Sequence, residues 1–277
     1  MDLIQHSYGV NPPKSNNGDH KSFLSLNGAS MLMNMDESRH LLTLFQLIDS
    51  CAPTGGFAHS NTLETAYQLG WISTSTELQH YIWNVLLQTV TSQLPYVNAI
   101  CQFIISTSSS EDTNLVEEFC KVDAHLTSTM TSHVARRASM VQGSGMFRVF
   151  PSTFPEQLKP TIISKLKKCI LSTKNPTVCG HAATCWGCIC GMLRISPETC
   201  MYMYLYTVTR DMINAAIRMN IIGPMEGSYL TNQLCQKLTT LLQHPLNLSL
   251  DSVHQVAPLI DILSNAHDRL YTRLFNS

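Results

Sequence analysis

Charge is what this sequence has least of. Asp, Glu, Lys and Arg make up 13% of its 277 residues, against roughly 25% in ordinary globular chains. A chain this long with so few charges needs a large core, or keeps apolar surface for partners. The formal net charge is −1, so the basic excess of a nucleic-acid binder is missing. The one basic cluster, Lys165, Lys167, Lys168 and Lys174, reads as a solvated helix face. Long apolar runs are missing too. The nearest, from Val178 to Ile195, is interrupted by His181, Thr184 and Arg194, which argues against a membrane-spanning helix. The first 21 residues have no apolar signal-peptide core. Rich in Asn, Pro, Lys, Ser and Gly, they read as the start of a disordered leader spanning 1–35. Without a secretory signal, a cytoplasmic location and reduced thiols are expected for the ten cysteines. The sequon at Asn247 is then irrelevant.

Chemical signatures are equally scarce. Gly55 and Gly56 lack the following Gly-Lys-Ser/Thr of a phosphate loop. Gly143 and Gly145 are half of a dinucleotide fingerprint and follow no strand. No Gly-x-Ser-x-Gly elbow occurs, and the eleven histidines form no His-Glu-x-x-His pattern. Strand signals are nearly absent, with Phe147 to Phe150 the best of them.

What is present is helical periodicity. Leu41, Phe45 and Ile48 recur at steps of four and three. Thr74 and Glu77 have capping-box spacing before Leu78, Ile82, Val85 and Leu86. Pro95 is expected to end or kink that helix. Ser106 to Thr113 reads as a polar linker. Leu115 to about Val141 reads as one or two helices, with Gly143 and Gly145 as a stop and Pro151, Pro155 and Pro160 marking an irregular connection. Ser196 can cap a helix that Pro197 and Glu198 open. Its stripe is Met201, Leu205, Val208, Met212, Ala215 and Met219, with Arg210, Asn214 and Arg218 as a polar face, until Gly223 and Pro224 end the unit. The expectation is an all-α fold: one bundle of roughly ten helices over 36–277.

Three segments carry more than periodicity. Residues 53–60 read Pro53, Thr54, Gly55, Gly56, Phe57, Ala58, His59, Ser60, with Glu64 one turn further on. Arg210 and Asp211 open a run of small residues that leads to Gly223, Pro224, Met225 and Glu226. The sequence ends with His267, Asp268, Arg269, Leu270, Tyr271, Thr272, Arg273, Leu274 and Phe275 before Asn276 and Ser277. Together these resemble the signatures of the UreF-type urease accessory proteins, plant-like in character. Two positions depart from the family pattern: Ala52 stands where a larger aliphatic residue is expected, and Thr62 where glycine is common.

The resemblance implies an all-helical accessory protein rather than an enzyme. Its partners would be a UreD/UreH-type protein, a UreG-type GTPase and apo-urease. The family also implies a homodimer in the complex, with no resident cofactor and nickel at most passing through. Two partner-binding surfaces are expected. One is the loop Pro53 to Ser60 with Glu64, packed near the Gly223 to Glu226 turn. The other is the tail, where Val256, Ile260, Leu263, His267, Leu270 and Leu274 continue an apolar seam. In that tail Arg269 and Arg273, read as one helical turn apart, could pair with a partner's carboxylates, with Arg273 the polar anchor and Leu270, Tyr271, Leu274 and Phe275 the apolar ones. Arg210 and Asp211 are counted with the partner-binding residues, and a role in helix packing is expected of them before a catalytic one.

Two other readings stay open. Cys179, Cys185, Cys188, Cys190 and Cys200 cluster, and Cys185 and Cys188 have the spacing of metal and redox pairs. The second pair of a structural zinc site is missing. Small neighbours suggest a buried helix, yet with His181 the cluster could itself hold nickel or zinc. His125 and His133 could share a helix face, and His59 could touch a metal or a partner. A helical enzyme using Arg210, Asp211 and His59 is the third possibility.

Overall fold

The computed structural model describes residues 35–107, 112–172, 177–243 and 248–277. All but the last residue of the expected leader therefore lie outside the described residues. The chain divides into two compact units, 1–44 and 45–277. Of the first, the described part is the beginning of helix α1 (Met35–Leu47), where Thr43 Oγ1 donates to the Arg39 carbonyl at 3.0 Å.

The second unit carries α2 (Leu63–Gln68), α3 (Ser75–Ser92), α4 (Leu94–Ser106), α5 (Asp112–Thr129), α6 (His133–Thr153) and α7 (Pro160–Ile170). It continues with α8 (Ala182–Met192), α9 (Pro197–Arg218), α10 (Pro224–Gln243) and α11 (Pro258–Ala266). Short 3-10 turns lie at Gly56–Ala58, Leu250–Ser252 and His267–Arg269. The fold is all-α, with eleven α-helices and no strand among the described residues. None of the described helices is long and apolar enough to cross a membrane.

Helix α8 is the centre. Every residue from Ala182 to Gly191 is buried, and α4, α6 and α9 pack around it. Trp186, 1% exposed, lies edge-on to Phe150 at 6.4 Å and donates its indole N–H to the Cys200 carbonyl at 3.1 Å. Burying a side chain of this kind is worth about 2–3 kcal/mol. The start of α8 is fixed by a buried anion. The Asp123 carboxylate on α5 accepts the backbone N–H groups of Cys179, Gly180 and His181 at 2.6, 2.8 and 2.9 Å, and the Thr184 hydroxyl at 2.6 Å. A carboxylate so satisfied suits the positive end of a helix.

Local signals placed several helix ends. Thr74 and Glu77 form the capping box of α3, and Ser196 caps α9 with Pro197 in its first turn. Other expectations are corrected. Of the two outcomes expected at Pro95, a kink does not occur: α3 ends at Ser92, and Pro95 lies in the first turn of α4. Phe147 to Phe150 lie within α6, not in a strand. Gly143 and Gly145 do not stop that helix, which continues through Pro151 to Thr153. A Cβ on residue 143 would lie 2.1 Å from the Gly180 carbonyl oxygen, and one on residue 145 would lie 2.2 Å from that of Thr54. Both glycines are there for close backbone approach. In the linker expected from Ser106 to Thr113, residues 108–111 lie outside the described residues.

Candidate functional site

The loop after α1 is shaped by two adjacent glycines with different tasks. Gly55 has φ +95°, a left-handed conformation that glycine adopts without a Cβ penalty. Gly56 has no such φ but no room: its Cβ would lie 2.5 Å from Asp211 Oδ2 on α9. Backbone bonds from Ala58 N to Gly55 O (3.0 Å) and His59 N to Gly56 O (3.1 Å) close the 3-10 turn. The loop thus threads between two helices, with the Thr54 carbonyl on the α6 backbone at Gly145 and Gly56 on α9 at Asp211. Two arginines of α9 grip its main chain. Arg210 donates to the Ile48 carbonyl and Arg218 to the Phe57 carbonyl. Arg210 also holds Asp211 Oδ1 from Nε (2.9 Å) and Nη2 (2.7 Å). Burial raises the Asp211 pKa, and Arg210 opposes that shift. Pro53 and Phe57 stay exposed, whereas His59, Ser60 and Glu64 are buried.

The tail seam does not continue as a helix. Helix α11 stops at Ala266, and after the 3-10 turn the chain runs irregularly from Leu270. The physical reason is His267, which the seam pattern places among aliphatics. Its Nε2 lies 3.3 Å from Glu64 Oε2, and both side chains are buried. The same carboxylate accepts the N–H groups of Leu274 (Oε1, 2.6 Å) and Phe275 (Oε2, 3.1 Å) and the Gln68 amide (Oε1, 3.3 Å). The backbone follows the loop further. Asn276 N donates to the Ala58 carbonyl at 2.8 Å, and Ser60 N and Oγ donate to the Ser277 carbonyl at 2.7 and 2.8 Å. His59 Nδ1 lies 2.7 Å from Ser277 Oγ. The Phe275 ring is buried beneath the Arg218 guanidinium, 4.4 Å from its centroid.

Loop and tail are therefore one site, built around Glu64. Outward from it face Phe57 (60% exposed), Leu274 (54%) and Tyr271 (102%). Arg269 and Arg273 are also exposed and Leu270 half-buried. Asp268 collects Arg137 at 2.8 Å, His133 at 3.1 Å and Arg273 at 3.3 Å. The Arg137 hydrogen bond is the largest cause that brings its pKa down to about 2. Arg269 and Arg273 do not sit a helical turn apart, because Arg273 lies beyond the 3-10 turn. Gly223, Pro224 and Glu226 are exposed at the start of α10. The loop meets the α9 side chains of Asp211 and Arg218. Arg218 and His267 join the site without having been singled out for it. The four-residue spacing from Arg210 was the available signal for Arg218.

The arrangement offers no worked-out proton relay. The His59–Ser277 contact resembles half of a nucleophile–base pair, but His59 Nε2 has no partner among the described residues. Burial, with Arg137 and His267 nearby, lowers the His59 pKa to about 4. A base that weak is a poor match to neutral pH. Arg210 and Asp211 line a cavity of about 430 Å³ together with Thr62, Gln88, Gln142 and Trp186, and His59 is not among its lining residues. In the cysteine cluster, Cys185, Cys188, Cys190 and Cys200 are fully buried, and burial pushes the thiols of Cys185, Cys188 and Cys200 up. No group of three His, Cys, Asp or Glu side chains converges as a metal site among the described residues. His181 Nε2 is 3.1 Å from the Thr127 hydroxyl. His125, on α5 beside Tyr96, and His133, on α6 beside Asp268, share no helix face.

The UreF family model matches residues 72–235 of the chain. That span takes in Arg210, Asp211 and the start of α10, but neither the loop nor the tail. Among curated proteins, the chain is 36% identical over 233 residues to the urease accessory protein F of Arabidopsis thaliana, covering 84% of this chain and 91% of that protein. It is 34% identical over 249 residues to that of Oryza sativa subsp. indica, covering 90% and 88%. The UreF of Corynebacterium efficiens is 23% identical over 245 residues, covering 88% and 100%. The chain belongs to the UreF family of urease accessory proteins, whose general role lies in urease maturation.

Proposed function

We propose that this UreF-family chain is a non-catalytic scaffold for nickel delivery to apo-urease. In this reading it binds a UreD/UreH-type accessory protein and recruits a UreG-type GTPase, acting in the cytoplasm and as a homodimer within the complex. Nickel is cargo passed among the partners, and the chain keeps no resident cofactor. The observation that carries the reading is the single surface in which loop 53–64 and segment 267–277 meet. It offers exposed Phe57, Tyr271 and Leu274 beside exposed arginines. Aromatic and arginine side chains of this kind dominate the energetics of protein interfaces. Proton-transfer and nucleophile geometry, by contrast, find little support in the contacts of His59, Arg210 and Asp211.

The test is co-purification with UreD/UreH-type and UreG-type partners, with and without residues 267–277. The full chain is expected to bring down both partners, and the shortened chain to lose the GTPase. Capture of both partners by the shortened chain would remove the segment from the reading. Equilibrium dialysis of the isolated chain is expected to give less than one bound nickel. Stoichiometric nickel lost in Cys185→Ser and Cys188→Ser variants would instead make the chain a metal-binding protein.

A further inference from the structure

Glu64 was expected to touch a partner, yet its side chain is only 3% exposed. Both its oxygens are used within the chain, by two main-chain N–H groups, the Gln68 amide and the His267 ring. We propose that Glu64 is the positioning residue of the docking surface: it holds the backbone of Leu274 and Phe275 and so sets which side chains of the segment face a partner. The proposal rests on the reading of segment 267–277 as a partner surface.

The chemistry favours this role. A buried carboxylate is costly unless its lone pairs are filled, and main-chain N–H donors fill them whatever side chains the segment carries. Two oxygens of one carboxylate bonding two consecutive N–H groups also fix register. The chain bends at Leu274 and Phe275, and the two N–H bonds hold that bend in place. Here Phe275 turns inward beneath Arg218 and Leu274 outward. Loss of these two bonds would free the phenyl ring to leave its place beneath Arg218. Releasing the segment would break both main-chain bonds to the Glu64 carboxylate, which opposes release.

The surface so presented has a definite complement. The single carboxylate of Asp268 faces two guanidiniums and an imidazole, and Arg269 adds an exposed cation. Positive excess therefore flanks Tyr271 and Leu274. The fitting partner is a protein surface with an apolar patch bordered by carboxylates.

Glu64→Gln in the full-length chain tests the assignment, because Gln keeps shape and one acceptor oxygen. Amide hydrogen exchange of residues 270–277 is compared with that of α8, alongside capture of the UreG-type GTPase. Losing a hydrogen bond to a charged acceptor predicts about tenfold faster exchange in 270–277. Exchange in α8 is expected to stay unchanged and capture to weaken about tenfold. Glu64→Ala is expected to go further in the same order. Unchanged exchange in 270–277 overturns the proposal, as does an increase matched in α8, which marks general loosening. If deletion of 267–277 leaves capture at the wild-type level, the partner reading itself fails. If deletion abolishes capture while Glu64→Gln leaves exchange unaltered, only the role of Glu64 fails.

Discussion

Thr62 holds a backbone conformation that its own side chain disfavours. Its φ is +68°, where an L-residue is strained by about 1–2 kcal/mol and a β-branched one is an outlier. The family's preference for glycine here thus has a conformational reason. The threonine compensates through its hydroxyl, 2.5 Å from the Tyr81 hydroxyl, in a place where burial raises the Tyr81 pKa to about 12. Thr62→Gly alone relieves strain but leaves that hydroxyl without its partner, which costs about 1–3 kcal/mol. The expected net loss is about 1 kcal/mol in urea denaturation. In a Tyr81→Phe background the same change is expected to stabilise by about 1 kcal/mol, since only strain relief remains. Equal effects in both backgrounds would show that the hydroxyl pair contributes nothing. His59 makes a second residue-scale prediction. Its pKa falls from the usual 6.5 to about 4 because burial disfavours the charged ring. A lowered folded-state pKa means that the unfolded chain takes up the proton first. Stability is therefore full above pH 6.5, declines as pH falls toward 4, and levels off below. The decline is no more than about 3 kcal/mol, and denaturation of wild type and His59→Gln at pH 7.5 and 5 should show a shallower slope in the variant.

At the scale of elements, α6 shows what a local reading resolves and what it does not. The α3 capping box and the Ser196 start of α9 were legible because each is closed by residues three apart. The ends of α6 and α11 were not. Glycine carries the same local signal whether it breaks a helix or admits a neighbour, and only tertiary packing shows that Thr54 and Gly180 approach α6. Likewise the period of the tail runs on past Ala266, while a carboxylate some 200 positions earlier draws His267 out of the pattern. Gly145→Ala separates these meanings. Helix propensity alone predicts a gain of about 1 kcal/mol. Contact with the Thr54 carbonyl predicts a net loss of about 1–3 kcal/mol from overpacking, read by urea denaturation. Gly223→Ala is the control: its Cβ would meet nothing within 4 Å, and a change within about 0.5 kcal/mol is expected.

At the scale of the molecule, the question is whether surface and core can be separated by mutation. The fold rests on α8 and its surrounding helices, and the loop–tail site borders α6 and α9. The family resemblance named the loop and tail from sequence motifs, yet their convergence on Glu64 joins residues too far apart in the chain for any spacing to disclose. Arg273 puts the separation to the test. Its side chain is 47% exposed and its guanidinium lies 3.3 Å from Asp268, which Arg137 also holds at 2.8 Å. An exposed ion pair of this kind contributes about 0–1 kcal/mol to stability, and Asp268 keeps a partner when Arg273 is removed. A desolvated interface arginine, by contrast, is worth about 1–3 kcal/mol in binding. Arg273→Ala should therefore leave thermal unfolding nearly unchanged while weakening capture of the proposed GTPase partner by about 5- to 150-fold. Capture at wild-type affinity would take Arg273 out of the interface. Loss of the fold would make the ion pair part of the structural frame, since an exposed side chain with a substituted partner has no other route to such an effect.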